Sequence, residues 1–174
     1  MRYLFYQGSI THFGVANTQT LINDAYRSGV KDLTLCLCTS GGDVTSGIGL
    51  FNFIRMFDVN INTHAAGICE SIGVTILLAG KVRTATPTSV FSTHQASYSE
   101  GPLKGQRSAN TDLICAPFAE VAGWNPADIE ERFSDIDFRF DPHKAVEYGV
   151  IHRVMLPTIG DGDEMVNIKT IPDR

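Results

Sequence analysis

Positive charge is in short supply along these 174 residues: 14 lysines and arginines stand against 19 aspartates and glutamates, a formal net charge of -5. That balance gives no support to phosphate-backbone binding and weakly disfavours anionic membranes or nucleic acid. Neither a nucleic acid nor a membrane is expected as a partner. Long apolar runs are missing too, since no stretch approaches the roughly 20 apolar residues needed to span a bilayer. The amino-terminus shows no basic region followed by an apolar stretch and a cleavage site, so a cytoplasmic location is the default expectation. Cysteine is scarce. Cys36, Cys38, Cys69 and Cys115 form neither a CxxC pair nor, with nearby histidines, a zinc-ligand spacing. Reduced structural thiols are expected, with no metal and no cofactor. Internal repeats and low-complexity tracts are absent, as are a lysine-bearing phosphate loop and a Gly-x-Ser-x-Gly elbow.

What is there suits one α/β domain over residues 1–174. Hydrophobic residues make up 43% of the chain, enough for a substantial core. Strands are expected over Tyr3 to Gly8, as a short edge or amino-terminal strand, and over Leu33 to Cys38, Val59 to Thr63, Val82 to Ala85 and Ser89 to Thr93. Leu33 to Cys38 is apolar on both faces, which predicts a parallel strand covered by helices. Apolar spacing predicts helices over Val15 to Arg27, Val44 to Met56, Ser71 to Leu78, Thr111 to Ala122, Ala127 to Phe133 and Pro142 to Tyr148. Pro117 is expected to interrupt the fourth of these. Phe51, Phe53, Ile54 and Met56 suit either an oligomer interface or packing beneath the sheet.

Two junctions carry the chemistry. Ser71 lies between an apolar strand and an apolar helix, in Gly67-Ile68-Cys69-Glu70-Ser71-Ile72-Gly73-Val74. Its hydroxyl meets the positive end of the helix dipole, and flanking glycines admit a reacting backbone. Thr39-Ser40-Gly41-Gly42-Asp43 is a second strand-to-helix turn, whose Gly41 N–H, with that of Ile72, could stabilise an oxyanion. His94 follows Ser89 to Thr93 and is the candidate base, because a serine hydroxyl is a poor nucleophile unaided. An acid should orient that histidine, and spacing alone leaves Asp135, Asp137 and Asp141 equal.

Ser40-Gly41-Gly42, Gly67 to Gly73, Leu77-Leu78-Ala79-Gly80, His94-Gln95 and Asp137 to Ile151 together resemble the Clp protease proteolytic-subunit family, in order and across nearly the whole chain. The resemblance implies a crotonase-like fold of repeated ββα units. It carries the catalytic serine, histidine and aspartate onto Ser71, His94 and Asp137, and the oxyanion donors onto Gly41 and Ile72. Asp137 is reached by counting eight residues back from Ala145. The implied activity is serine endopeptidase cleavage of short or unfolded polypeptides through an acyl-enzyme. The implied partners are further copies of the chain, in a heptameric ring, and an AAA+ unfoldase.

Three departures stand out. The glycine turn lacks the family's proline. Glu70 occupies a place where a small residue is usual. Residues 97–133 form a modified, shortened handle region. Two other readings use the same residues: a crotonase-like acyl-thioester hydratase or isomerase with Glu70 as acid/base, and an inactive Clp-like scaffold.

Overall fold

Leu33 to Cys38 forms the middle of a sheet, as its two-faced apolarity requires. The computed structural model describes residues 1–98 and 100–172. Ser99, within the expected handle, and Asp173 and Arg174, at the end of the expected domain, lie outside it. The chain runs β1 (Arg2–Gln7), α1 (His12–Arg27), β2 (Asp32–Thr39), α2 (Val44–Arg55), β3 (Asn60–Glu70) and α3 (Ile72–Leu77). It continues through β4 (Arg83–Ala85), β5 (Val90–Thr93), α4 (Asn110–Pro117), a π-helical turn (Phe118–Ala122), α5 (Pro126–Arg132), β6 (Phe138–Phe140), α6 (Pro142–Glu147), β7 (Arg153–Val154) and β8 (Glu164–Asn167). The sheet order is β6-β5-β3-β2-β1-β8, with β4 beside β3 and β7 beside β4. All pairings are parallel except β5 with β6.

One face of the sheet meets the helices. Leu4 and Tyr6 of β1, Leu33, Leu35 and Leu37 of β2, and Ile61 and Ala65 of β3 are all buried. Ile72, Val74, Ile76 and Leu77 of α3 are fully buried, each contributing roughly 1.5–3 kcal/mol through removal from water. A hydrogen bond from Thr63 Oγ1 to the Leu77 carbonyl at 2.6 Å pins α3 onto β3. Phe51 and Ile54 pack into this core while Met56 stays exposed, so most of that quartet lies beneath the sheet.

Caps explain several helix starts. Thr11 accepts from the Gly14 N–H at 3.0 Å, which begins α1 three residues earlier than apolar spacing predicts. Asn125 and Asp128 form a reciprocal capping box on α5. Asp141 accepts from the Lys144 N–H at 2.8 Å, with Pro142 in the first helical position of α6.

Three expectations change. The strand expected over Val59 to Thr63 runs on to Glu70, because its second half finds a new partner: Thr63–Ala65 pair with β4, and Ile68–Glu70 pair with β5. β1 is not an edge strand, since β8 pairs alongside it. Pro117 ends the α-helical pattern but not the helical path. The chain keeps right-handed dihedrals through Phe118 and continues as a π turn, closed by Gly123 at φ 73°.

Candidate active site

The long β3 places Ser71 at a fork in the sheet. Ser71 is the one described non-glycine residue at positive φ, with φ 54° and ψ -130°, a backbone conformation costing about 1–3 kcal/mol. Its N–H donates to the Ser92 carbonyl at 2.7 Å, which ties the junction to β5. Gly41 approaches from β2: a Cβ built on it would stand 2.7 Å from Ser71 Cβ and 3.3 Å from Ser71 Oγ. With φ at 96°, Gly41 is a position that only glycine fills. The two junctions singled out in the sequence are therefore adjacent in space.

His94 and Asp137 are delivered by the antiparallel pair. β5 and β6 pair Ser92 with Arg139 and Thr93 with Phe138. His94 follows Thr93 and Asp137 precedes Phe138, so the two leave the ladder side by side. His94 is half-buried, whereas Asp137 is exposed. Among the described residues, no hydrogen bond joins Ser71 to His94 or His94 to Asp137. Asp137 Oδ2 instead lies 3.6 Å from the Arg139 guanidinium, which also approaches Glu70 Oε1 at 3.5 Å. The Gly41 N–H donates to Thr39 Oγ1 at 3.0 Å, so in this arrangement that amide is occupied by its own turn. Ile72, the other expected donor, begins α3 directly after Ser71.

The three aspartates left equal by spacing have separate surroundings. Asp141 caps α6. Asp135 lines an open cleft of about 700 Å³ with Gln95, Arg107, Trp124, Ile129 and Phe133. Asp137 alone sits at the end of the β5–β6 ladder. None of the three candidate catalytic side chains lines the cleft itself.

Sequence reasoning missed Arg139 and Thr39. The signal for Arg139 was its position two residues beyond Asp137, the spacing at which side chains of extended chain return to one side. All four cysteines are free, and burial pushes the Cys36 and Cys115 thiols up to about 11. No group of three or more metal-ligating side chains is clustered among the described residues. Among these residues, no helix is long and apolar enough to cross a membrane.

Comparison with known proteins follows the same residues. The Clp protease family model matches residues 2–158. A curated relative, the ATP-dependent Clp protease proteolytic subunit 4, chloroplastic, from Arabidopsis thaliana, is 28% identical over 99% of this chain. The chain spans 61% of that relative's length. Among solved structures, a ClpP1 mutant from Listeria monocytogenes superposes with a TM-score of 0.78 at 20% identity, over 88% of this chain and 91% of that one. The fold is thus the mixed α/β, crotonase-like one.

Proposed function

We propose that this chain, which belongs to the Clp protease family, is a serine endopeptidase acting on short or unfolded polypeptides. The observation that carries the reading is the contact between Gly41 and Ser71, which sets a side-chain-free backbone against a strained serine. In the proposed reaction His94 takes the Ser71 proton as Oγ attacks the peptide carbonyl. The C–N bond breaks as His94 protonates the leaving amine, and water then releases the acyl group by the reverse proton path. Asp137 is the acid that orients His94. Gly41 and Ile72 supply the oxyanion donors, with the Gly41 amide leaving Thr39 when negative charge develops.

The arrangement described above is a resting one. Productive alignment needs His94 to turn to both Ser71 and Asp137, a rearrangement of side chains at three strand ends. Family membership favours peptide hydrolysis over acyl-thioester chemistry, and the Glu70 carboxylate faces the Arg139 guanidinium at 3.5 Å. Family members form rings that pair with AAA+ unfoldases. For this chain a homo-oligomeric, heptameric ring is part of the proposal, with residues 97–133 as its modified handle within a single 1–174 domain. The four free thiols suit a reducing aqueous compartment such as the cytoplasm.

The test is active-site labelling with a fluorophosphonate, located by peptide mass mapping, beside turnover of fluorogenic peptides. Label on Ser71, and loss of both signals in Ser71→Ala, are expected. Turnover that survives in folded Ser71→Ala would overturn the reading.

A further inference from the structure

Glu70, Ser92 and Arg139 form one row across three strands, since Glu70 pairs with Ser92 and Ser92 with Arg139. Side chains in such a row leave the sheet on one face. Asp137, one residue before β6 and two before Arg139, lies within 3.6 Å of the same guanidinium. The Arg139 guanidinium is the positive group between two carboxylates, 3.5 Å from Glu70 and 3.6 Å from Asp137. Glu70 is the better anchored of the two, with its side chain 18% exposed against 53% for Asp137. Between them the Ser92 hydroxyl is buried without a hydrogen-bond partner, so the row has an unused polar group at its centre.

Resting on the peptidase reading above, we propose that Arg139 is a positioning residue for the acid of the site, and that Glu70 controls it. Arg139 competes with His94 for the Asp137 carboxylate. The more firmly Glu70 holds Arg139, the more freely Asp137 reaches the His94 ring. Glu70 also has its charge neutralised by the same contact, which keeps a bare carboxylate from opposing oxyanion formation one residue away. The departure from the family's small residue at this position thereby acquires a purpose: Glu70 and Arg139 act as a pair, and neither substitution is neutral alone.

The test is a double-mutant cycle with two readouts. Glu70→Gln leaves Arg139 to Asp137 alone, so kcat for a fluorogenic peptide should fall several-fold with KM unchanged, the scale expected of a partly exposed ion pair. Adding Arg139→Gln frees Asp137 and should restore kcat to within about twofold of wild type. Arg139→Gln alone, which leaves Glu70 an unpaired carboxylate beside the oxyanion site, should lower kcat as well. In parallel, nitrogen-15 spectra of the histidine rings, with His94 assigned by His94→Gln, should show the population of His94 rings that carry an Nδ1–H hydrogen bond falling in Glu70→Gln relative to wild type and recovering in the double variant. Losses that multiply in the double variant, or an unchanged kcat and His94 spectrum in Glu70→Gln, would overturn the proposal. A wild-type chain that neither turns over peptide nor takes the phosphonate sinks the peptidase reading instead; the His94 spectra then still decide the coupling.

Discussion

The Ser71 N–H donates to the Ser92 carbonyl at 2.7 Å, while Ser71 itself is held at φ 54°. The bond across to β5 keeps Ser71, the proposed nucleophile, in a conformation it would not choose, beside the strand that leads two residues on from Ser92 to His94. Strain at that junction is thus tied to the elements that assemble the site.

Ser71→Gly should therefore stabilise the fold by about 1 kcal/mol, because glycine adopts this backbone without steric cost. Ser71→Ala, which keeps a Cβ, should leave stability nearly unchanged. Both should lose peptide turnover. Urea midpoints of the three proteins are the check, and a destabilised Ser71→Gly would show that the strain is not real.

Gly41→Ala should do the reverse, losing stability and activity together. The added methyl meets Ser71 Cβ at 2.7 Å and the Glu70 carbonyl at 3.1 Å, at φ 96°. Roughly 2 kcal/mol or more of destabilisation is expected. Denaturation and phosphonate labelling, measured on one preparation, would expose a failure of either half.

The aspartates separate by role. Asp137→Asn should cut kcat by two or more orders of magnitude with little change in stability. Asp141→Ala should cost about 1 kcal/mol by uncapping α6 and leave turnover intact. Swapped outcomes would move the acid from Asp137 to Asp141.

His64 makes the fold acid-sensitive. It is 1% exposed on β3, its Nδ1 lies 2.8 Å from Thr84 Oγ1, and its Nε2 has no partner. Burial holds its pKa at about 4, against 6.5 for a free histidine. The folded state thus binds the proton less readily than the unfolded chain. The stability associated with neutral His64 is complete above pH 6.5 and is lost as pH falls from there to about 4. The full loss is on the order of 3 kcal/mol. Urea midpoints at several pH values should decline through this window in the wild type and less so in His64→Thr. Parallel curves would rule His64 out as the source.

β8 should be needed for a stable β1. Removing the chain after Thr158 strips the partner of Arg2–Phe5 and the buried Ile168, a loss of roughly 3 kcal/mol. It also uncovers a parallel sheet edge. A lower melting temperature with concentration-dependent light scattering is expected. An unchanged melting curve would mean the strand is dispensable.

Much of the candidate site was legible because its signals are local. Glycines at Gly41 and Gly42, a serine between a strand and an apolar helix, and a histidine closing a short strand each declare themselves within a few residues. The helix starts after Asp43 and Asp141 were readable for the same reason. The extension of β3 to Glu70 was not readable, because it depends on β5 arriving at Ile68. Pro117 does end α4, but the onward π turn was not readable, because it depends on the tertiary packing that keeps Phe118 buried.

Composition, turn glycines and apolar periodicity were sufficient by themselves to determine an α/β chain with Ser71 at a strand-to-helix junction. Those properties follow from each residue's own dihedral preferences and from the period of its neighbours. Tertiary structure alone decided that β8 would flank β1, that Gly41 would press on Ser71, and that Arg139 would stand between Glu70 and Asp137. Such pairings join segments tens to more than a hundred residues apart. Strand register brings them together, and no local propensity encodes it.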